Sequence, residues 1–166
     1  MEICDNMNLD KQLADTEYIK KQSWGKLLSV SKKQFEEWAM QKLASHGYDD
    51  FKMAYMPVLM NIKLEGTNNN DLANHARVTK QAMSKVAKEL QRKGYIKSKA
   101  SPDDKRSTMF SLTDRGKKLV IQARLAVKEL MDEYREVFGK KEFDGMFELM
   151  TKIMEYTDKK ILTKND

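Results

Sequence analysis

At 166 residues and 19.4 kDa, with 40% apolar and 34% charged residues, the chain has the length of one domain and enough apolar side chains for a core, which excludes disordered and fibrous classes. Two prolines and seven glycines, in a sequence rich in Lys, Glu, Leu, Met and Ala, predict mostly helix and argue against an all-β protein. The net charge of +6 is uneven: residues 71–117 hold 12 Lys and Arg against 5 Asp and Glu, the footprint of a polyanion site, although on charge alone an acidic protein or a membrane surface fits equally.

Residues 1–20 lack an apolar signal-like core, and no apolar run approaches the roughly 18 residues of a membrane span, so a cytoplasmic protein with no membrane partner is expected. A single cysteine, Cys4, excludes an intramolecular disulfide and a cysteine cluster for zinc. Residues 1–22 scatter Leu9, Leu13 and Ile19 among charges and read as a short helix or as an arm that orders against a partner. From Ser23, the pattern Leu27, Leu28, Phe35, Trp38, Ala39 and Leu43 predicts a first long amphipathic helix stopping near Gly47. Trp24 and Trp38 read as core or dimer packing rather than as stacking groups for bases or a ligand.

Asp49-Asp50 reads as a helix start with capping carboxylates, followed by a stretch apolar nearly all round through Phe51, Met53, Tyr55, Met56, Val58, Leu59 and Ile62. Pro57 requires that helix to begin near it or kink there. Residues 66–70, Gly-Thr-Asn-Asn-Asn, read as a polar loop before a small helix containing Leu72, Ala73 and Ala76. His46 and His75 stand alone; His75 reads as a structural histidine, with phosphate contact as the alternative.

Thr79 is placed as an N-cap for a helix over residues 80–93, in which Met83, Val86, Ala87 and Leu90 form an inward face and Gln81, Ser84, Lys85 and Lys88 point away. Gly94 suits a left-handed C′ position, and residues 95–100 and 107–112 alternate as two strands around the turn Ser101-Pro102-Asp103-Asp104. Thr113 can cap a helix of over five turns, and Phe138-Gly139 separates it from a last amphipathic helix bearing Phe143, Met146, Phe147, Met150, Ile153 and Met154. Residues 118–166 carry 10 basic and 10 acidic groups, a neutral, apolar-faced composition suited to a subunit interface. Methionines of residues 53–60 and 146–154 read as core filling, with an adaptable ligand pocket as the alternative.

Asp71-Leu72-Ala73, the 79–90 helix, Lys93-Gly94-Tyr95-Ile96, Asp104-Lys105-Arg106 and Leu112-Thr113 with Gly116 resemble the multiple-antibiotic-resistance regulator (MarR) family of winged helix-turn-helix proteins. The motifs cover about a quarter of the chain; Arg77 before Val78 departs from the small residue commoner at that turn. The resemblance implies a mainly α fold with a small β-hairpin wing, a homodimer on palindromic double-stranded DNA, and a small-molecule effector such as an aromatic or phenolic compound. It divides the chain into an N-terminal arm and dimerisation helix (1–48), a winged DNA-binding domain (49–117) and C-terminal dimerisation helices (118–166).

In such a fold the second helix enters the major groove. Thr79, Lys80, Gln81, Ser84 and Lys85 are then the candidate contacts: Gln81 can read adenine, Lys85 guanine, while Lys80 and Lys88 suit phosphates. Arg106 is placed to enter the minor groove with Lys105 on the backbone, and in the family pattern Asp104 orients that arginine. The function expected is a transcriptional regulator, a repressor by preference; the alternative is a winged-helix interaction module without sequence-specific DNA binding. No Gly-rich phosphate loop, metal-spaced cluster or nucleophile paired with a base is present, so neither an enzyme nor a cofactor is expected.

Overall fold

The computed structural model describes residues 9–21, 23–75, 79–100 and 108–162. In chain order these form α1 (Leu9–Asp15), α2 (Glu17–Lys21), α3 (Trp24–Ala44), a 3₁₀ turn (Met53–Tyr55), α4 (Met56–Met60), β1 (Thr67–Asn68), α5 (Asn69–His75), α6 (Lys80–Arg92), β2 (Ile96–Ala100), β3 (Thr108–Leu112), α7 (Asp114–Phe138) and α8 (Lys140–Leu162). The protein is mainly helical with one small antiparallel sheet of order β1-β3-β2, as the composition predicts. Among the described residues no helix is long and apolar enough to cross a membrane.

Helices α3, α6 and α7 start where side-chain oxygens meet the free N–H groups of a first turn. Ser23 Oγ accepts from the Lys26 N–H at 3.3 Å, Thr79 Oγ1 from Ala82 at 3.2 Å, and Thr113 Oγ1 from Gly116 at 3.1 Å. Helix α6 ends as expected: Lys93 is its C-cap, and Gly94 follows with φ +74°, a conformation a side chain at Cβ would strain. Residues 9–21, open between helix and arm in the sequence, are helical, with Leu9 and Leu13 exposed.

Three expectations are corrected. The apolar stretch after Asp49-Asp50 is not one helix: Pro57 occupies the first turn of α4, where its missing N–H has no intrahelical partner to lose, and the preceding residues take a 3₁₀ turn. Phe51, Tyr55, Val58, Leu59 and Ile62 are nevertheless all buried, so the apolar pattern read the core correctly while misreading the backbone. Within the supposed loop at 66–70, Thr67 and Asn68 pair with Phe110 and Met109 as an edge strand, and α5 already begins at Asn69, with Asn68 Oδ1 accepting from the Asp71 N–H at 2.9 Å. In β2 the alternation fails: Tyr95 and Ile96 are buried in succession and residues 97–100 are exposed, because only the base of the hairpin lies over the core.

That core gathers Leu43 of α3, Leu72 of α5, Met83 and Leu90 of α6, Tyr95, and Leu119 of α7, all nearly or fully inaccessible. Met53, Met56 and Met60 pack against it from outside, which matches the core-filling reading, whereas Met146 and Met154 of α8 are exposed and fill no core, because that part of the helix lies beyond it. The second half of α7 and most of α8 lie beyond it. They pack on each other through Phe143, whose ring lies 5.7 Å from that of Tyr134, and through Arg135, whose Nε donates to Asp144 at 2.9 Å.

Candidate nucleic-acid interface

Helix α6 has two faces of opposite chemistry. Met83, Ala87 and Leu90 are buried with Val86 half-buried beside them, while Thr79, Lys80, Gln81, Lys85 and Lys88 are exposed. The predicted contact residues of this helix therefore share one accessible surface, with one adjustment: Ser84 is half-buried and its hydroxyl donates to the Lys80 carbonyl at 2.9 Å, leaving only its acceptor side for a partner. The first turn of α6 carries no acidic residue. Its free N–H groups and Lys80 thus add to one positive end, the polarity that favours a phosphate. The wing-tip candidates Asp104, Lys105 and Arg106, and Arg77 of the turn, lie outside the described residues.

The exposed part of β2 adds Lys97 and Lys99, two residues apart and so on one side of the strand. They counted in the charge balance but not among the candidate contacts; the i, i+2 spacing could have nominated them.

What the sequence reading missed is the polar framework behind α6. Asp50 does not cap a helix. Its Oδ1 accepts from the Tyr95 hydroxyl at 2.6 Å and from Arg115 Nη2 at 3.0 Å, and its Oδ2 faces Lys93 Nζ at 3.4 Å. The Arg115 guanidinium also donates to the Lys93 carbonyl and stacks 4.4 Å from the centre of the Tyr95 ring. Burial opposes ionisation of Asp50, but the Tyr95 hydroxyl and the Arg115 and Lys93 charges outweigh it and hold its carboxyl below the ordinary carboxylate range. Burial and then the hydrogen bond to Asp50 push the Tyr95 phenol upward. A second contact lies one turn nearer the helix middle, where the Tyr55 hydroxyl donates to Glu89 Oε2, and Lys52 Nζ stands 3.5 Å from the same oxygen. The Tyr55 hydrogen bond is the main cause of a lowered Glu89 pKa. The partners of these two carboxylates lie 34 to 65 residues away, so no local pattern announces them.

The depressed Asp50 carboxyl has a pH consequence. A carboxyl whose folded pKa lies below its unfolded value near 3.8 contributes stability above that value and loses it as pH falls through the folded pKa. Asp50→Asn should therefore lower the urea midpoint at pH 7 but narrow the loss that accompanies acidification from about pH 5 to about pH 2, relative to the unsubstituted chain. Parallel acid curves for the two proteins would contradict the assignment.

His75 Nδ1 lies 2.7 Å from the Asp71 carbonyl, and His46 Nδ1 the same distance from that of Lys42, which fits structural roles. His75 also lines a cleft of about 490 Å³ between α4, α5 and α7, walled by Leu59, Ile62, Leu112, Val120 and Ile121, with Lys63, Lys117 and Arg124 at its edge. Among the described residues no group of three or more His, Cys, Asp or Glu side chains is placed to hold a metal ion.

Residues 58–108 match the model of the MarR family. No curated protein sequence matches the chain. Solved structures match over most of its length. A MarR family transcription regulator at 19% identity covers 92% of this chain and 97% of its own, with a TM-score of 0.71. The transcriptional repressor CouR, bound to a 23-mer DNA duplex, is 21% identical over 82% of this chain and 95% of its own at a TM-score of 0.68. The Staphylococcus aureus MepR–DNA complex is 21% identical over 81% and 98% at 0.67. With α5, α6 and the paired strands β2 and β3 already placed by the geometry, residues 58–108 are similar to the MarR family, and the chain shares the fold of MarR-family winged helix-turn-helix regulators.

Proposed function

We propose that the protein is a sequence-specific DNA-binding transcriptional regulator that works as a homodimer on a pseudo-palindromic operator, most simply as a repressor. The observation that carries this reading is the accessible face of α6, where Thr79, Lys80, Gln81, Lys85 and Lys88 stand together on a helix whose other face is core. A rigid amphipathic helix with a cationic outer face has the dimensions of the major groove. Two structures of the same fold hold DNA, and one is called a repressor. In this reading residues 49–117 bind DNA, and residues 1–48 and 118–166 join two subunits. Supporting the second role, α3, α7 and α8 expose Leu27, Val137, Phe138, Leu149 and Met154 at more than half of their surface, an apolar area that a second copy would cover.

The cleft beside His75 suits a small effector with an apolar body and an anionic group, such as an aromatic or phenolic acid, since its walls are aliphatic and its edge is basic. It lies between the α6-bearing lobe and α7, where a ligand preferring one lobe arrangement would change DNA affinity.

Selection of bound sequences from random duplex DNA tests the function. Gln81→Ala and Lys85→Ala should each change the selected motif, since a bidentate base contact is worth about 1–3 kcal/mol of discrimination. An unaltered motif in both variants would remove base reading from α6. Arg106→Ala should instead weaken binding at A·T-rich positions beside the half-sites while leaving the fold intact. Equal affinities of Arg106→Ala and the unsubstituted chain for operator and for random duplex at fixed salt would refute the wing contact, and a chain that selects no duplex at all would favour the interaction-module reading.

A further inference from the structure

We propose that Asp50 and Tyr55 are positioning residues for DNA recognition, forming a two-point bracket that sets the rotation of α6 and ties it to α3 and α7. The proposal rests on the DNA-binding reading of α6 and adds residues that touch no DNA.

Apolar packing holds α6 to the core through Met83, Ala87 and Leu90, but such contact is non-directional and leaves rotation about the helix axis loosely defined. A turn of about 20° moves an atom about 6 Å from the axis by about 2 Å, several times the distance window of a hydrogen bond to a base. Directional bonds are needed to remove that freedom, and α6 has them at two heights. On its third turn Glu89 is held by the Tyr55 hydroxyl and faced by Lys52; at its C-cap, Lys93 is held through its ammonium by Asp50 and through its carbonyl by Arg115. Just beyond, Tyr95 donates to Asp50 and, through its own carbonyl, accepts from the Thr113 N–H at 3.0 Å.

The placement of the donors gives the bracket its second property. Asp50, Lys52 and Tyr55 all belong to the short segment that joins α3 to α4, while Arg115 and Thr113 begin α7. Helices α3 and α7 are themselves joined by the Lys42–Glu129 pair at 3.0 Å. Thus the segment that follows α3 and the start of α7, both helices read as dimerisation elements, bond to the recognition helix and its C-cap, and Asp50 is the group where the two routes meet. A shift of α7 against α3 is transmitted to α6 as a rotation rather than absorbed in a loop.

The test uses the full chain with Asp50→Asn, Tyr55→Phe and the double variant, each first shown to be folded at the assay temperature by its urea transition. The readout is the ratio of affinity for the selected operator to affinity for random duplex, together with the salt slope of each. Each single variant should lower the ratio about fivefold to tenfold and the double variant further, with random-duplex affinity and salt slope unchanged because the phosphate-facing lysines remain. Asp50→Glu, which keeps the charge, should restore part of the ratio. An unchanged ratio in the folded double variant overturns the proposal, as does a loss shared equally by operator and random duplex. Gln81→Ala separates this failure from that of the underlying reading: if it too leaves the ratio unaltered, the reading of α6 as the base-contacting helix falls as well.

Discussion

Gly116→Ala is expected to destabilise the chain by about 3 kcal/mol or more and to abolish specific DNA binding. The sign is informative, because alanine replacing glycine inside a helix is ordinarily stabilising by about 0.5–1 kcal/mol. Here a Cβ would stand 2.0 Å from the Tyr95 carbonyl oxygen and 3.3 Å from the Leu112 side chain. The carbonyl cannot withdraw cheaply: it accepts from both the backbone N–H and the hydroxyl of Thr113, at 3.0 and 3.1 Å, and Tyr95 itself is fully buried. Relief would move the start of α7 away from the base of the hairpin and break the attachment of Arg115 to the C-cap of α6. Urea unfolding of the two proteins measures the effect, and a variant midpoint at or above that of the unsubstituted chain would refute the steric role of this glycine. The same geometry explains in physical terms why the Leu112-Thr113-x-x-Gly116 motif ends in glycine.

Removal of residues 140–166 should have the second large effect, loss of the proposed dimer and with it a fall of about 100-fold or more in affinity for the proposed palindromic operator. Helix α8 exposes Leu149, Met154 and Ile161, and α7 exposes Val137 and Phe138 beside it, so the deletion removes much of the surface that a second copy would cover. It also uncovers Tyr134 and Arg135, which hold Phe143 and Asp144, so aggregation could mask the result. The paired substitution Leu149→Glu with Met154→Glu avoids this, since both side chains are exposed and no core contact is lost. Light scattering should give twice 19.4 kDa for the unsubstituted chain and a smaller mass for the charged variant. With two recognition helices about 34 Å apart, operator affinity should peak at half-sites about 10 base pairs apart. A charged variant that remains dimeric and keeps its operator affinity would place the subunit contact elsewhere.

Helix starts and stops were legible because each depends on neighbours in sequence. Thr79 and Thr113 cap the helices they were expected to cap, α3 starts from its cap Ser23, where its pattern was expected to begin, Gly94 takes the left-handed turn, and the i, i+3, i+4, i+7 spacing of Met83, Val86, Ala87 and Leu90 marks the inward face of α6. The exposed residues Lys80, Gln81, Lys85 and Lys88 follow from the same spacing, since a helix that buries one side must present the other. The segment from Asp49 to Ile62 was half legible: which residues enter the core followed from their apolarity, but a continuous apolar run does not distinguish helix from 3₁₀ turn, and Pro57 decided that locally.

Only the tertiary structure decided the rest. Thr67 and Asn68 become a strand because β3 offers them an edge, although their own composition is that of a loop. Asp50, expected to serve the helix beside it, serves instead Tyr95, Lys93 and Arg115, and Glu89 on the outer flank of α6 is claimed by Tyr55. A carboxylate carries no sequence mark of the partner it will take. Capping is the default when only neighbours are considered, whereas the folded chain brings three donors from 43 to 65 residues away and so offers a stronger site than any the adjacent backbone provides.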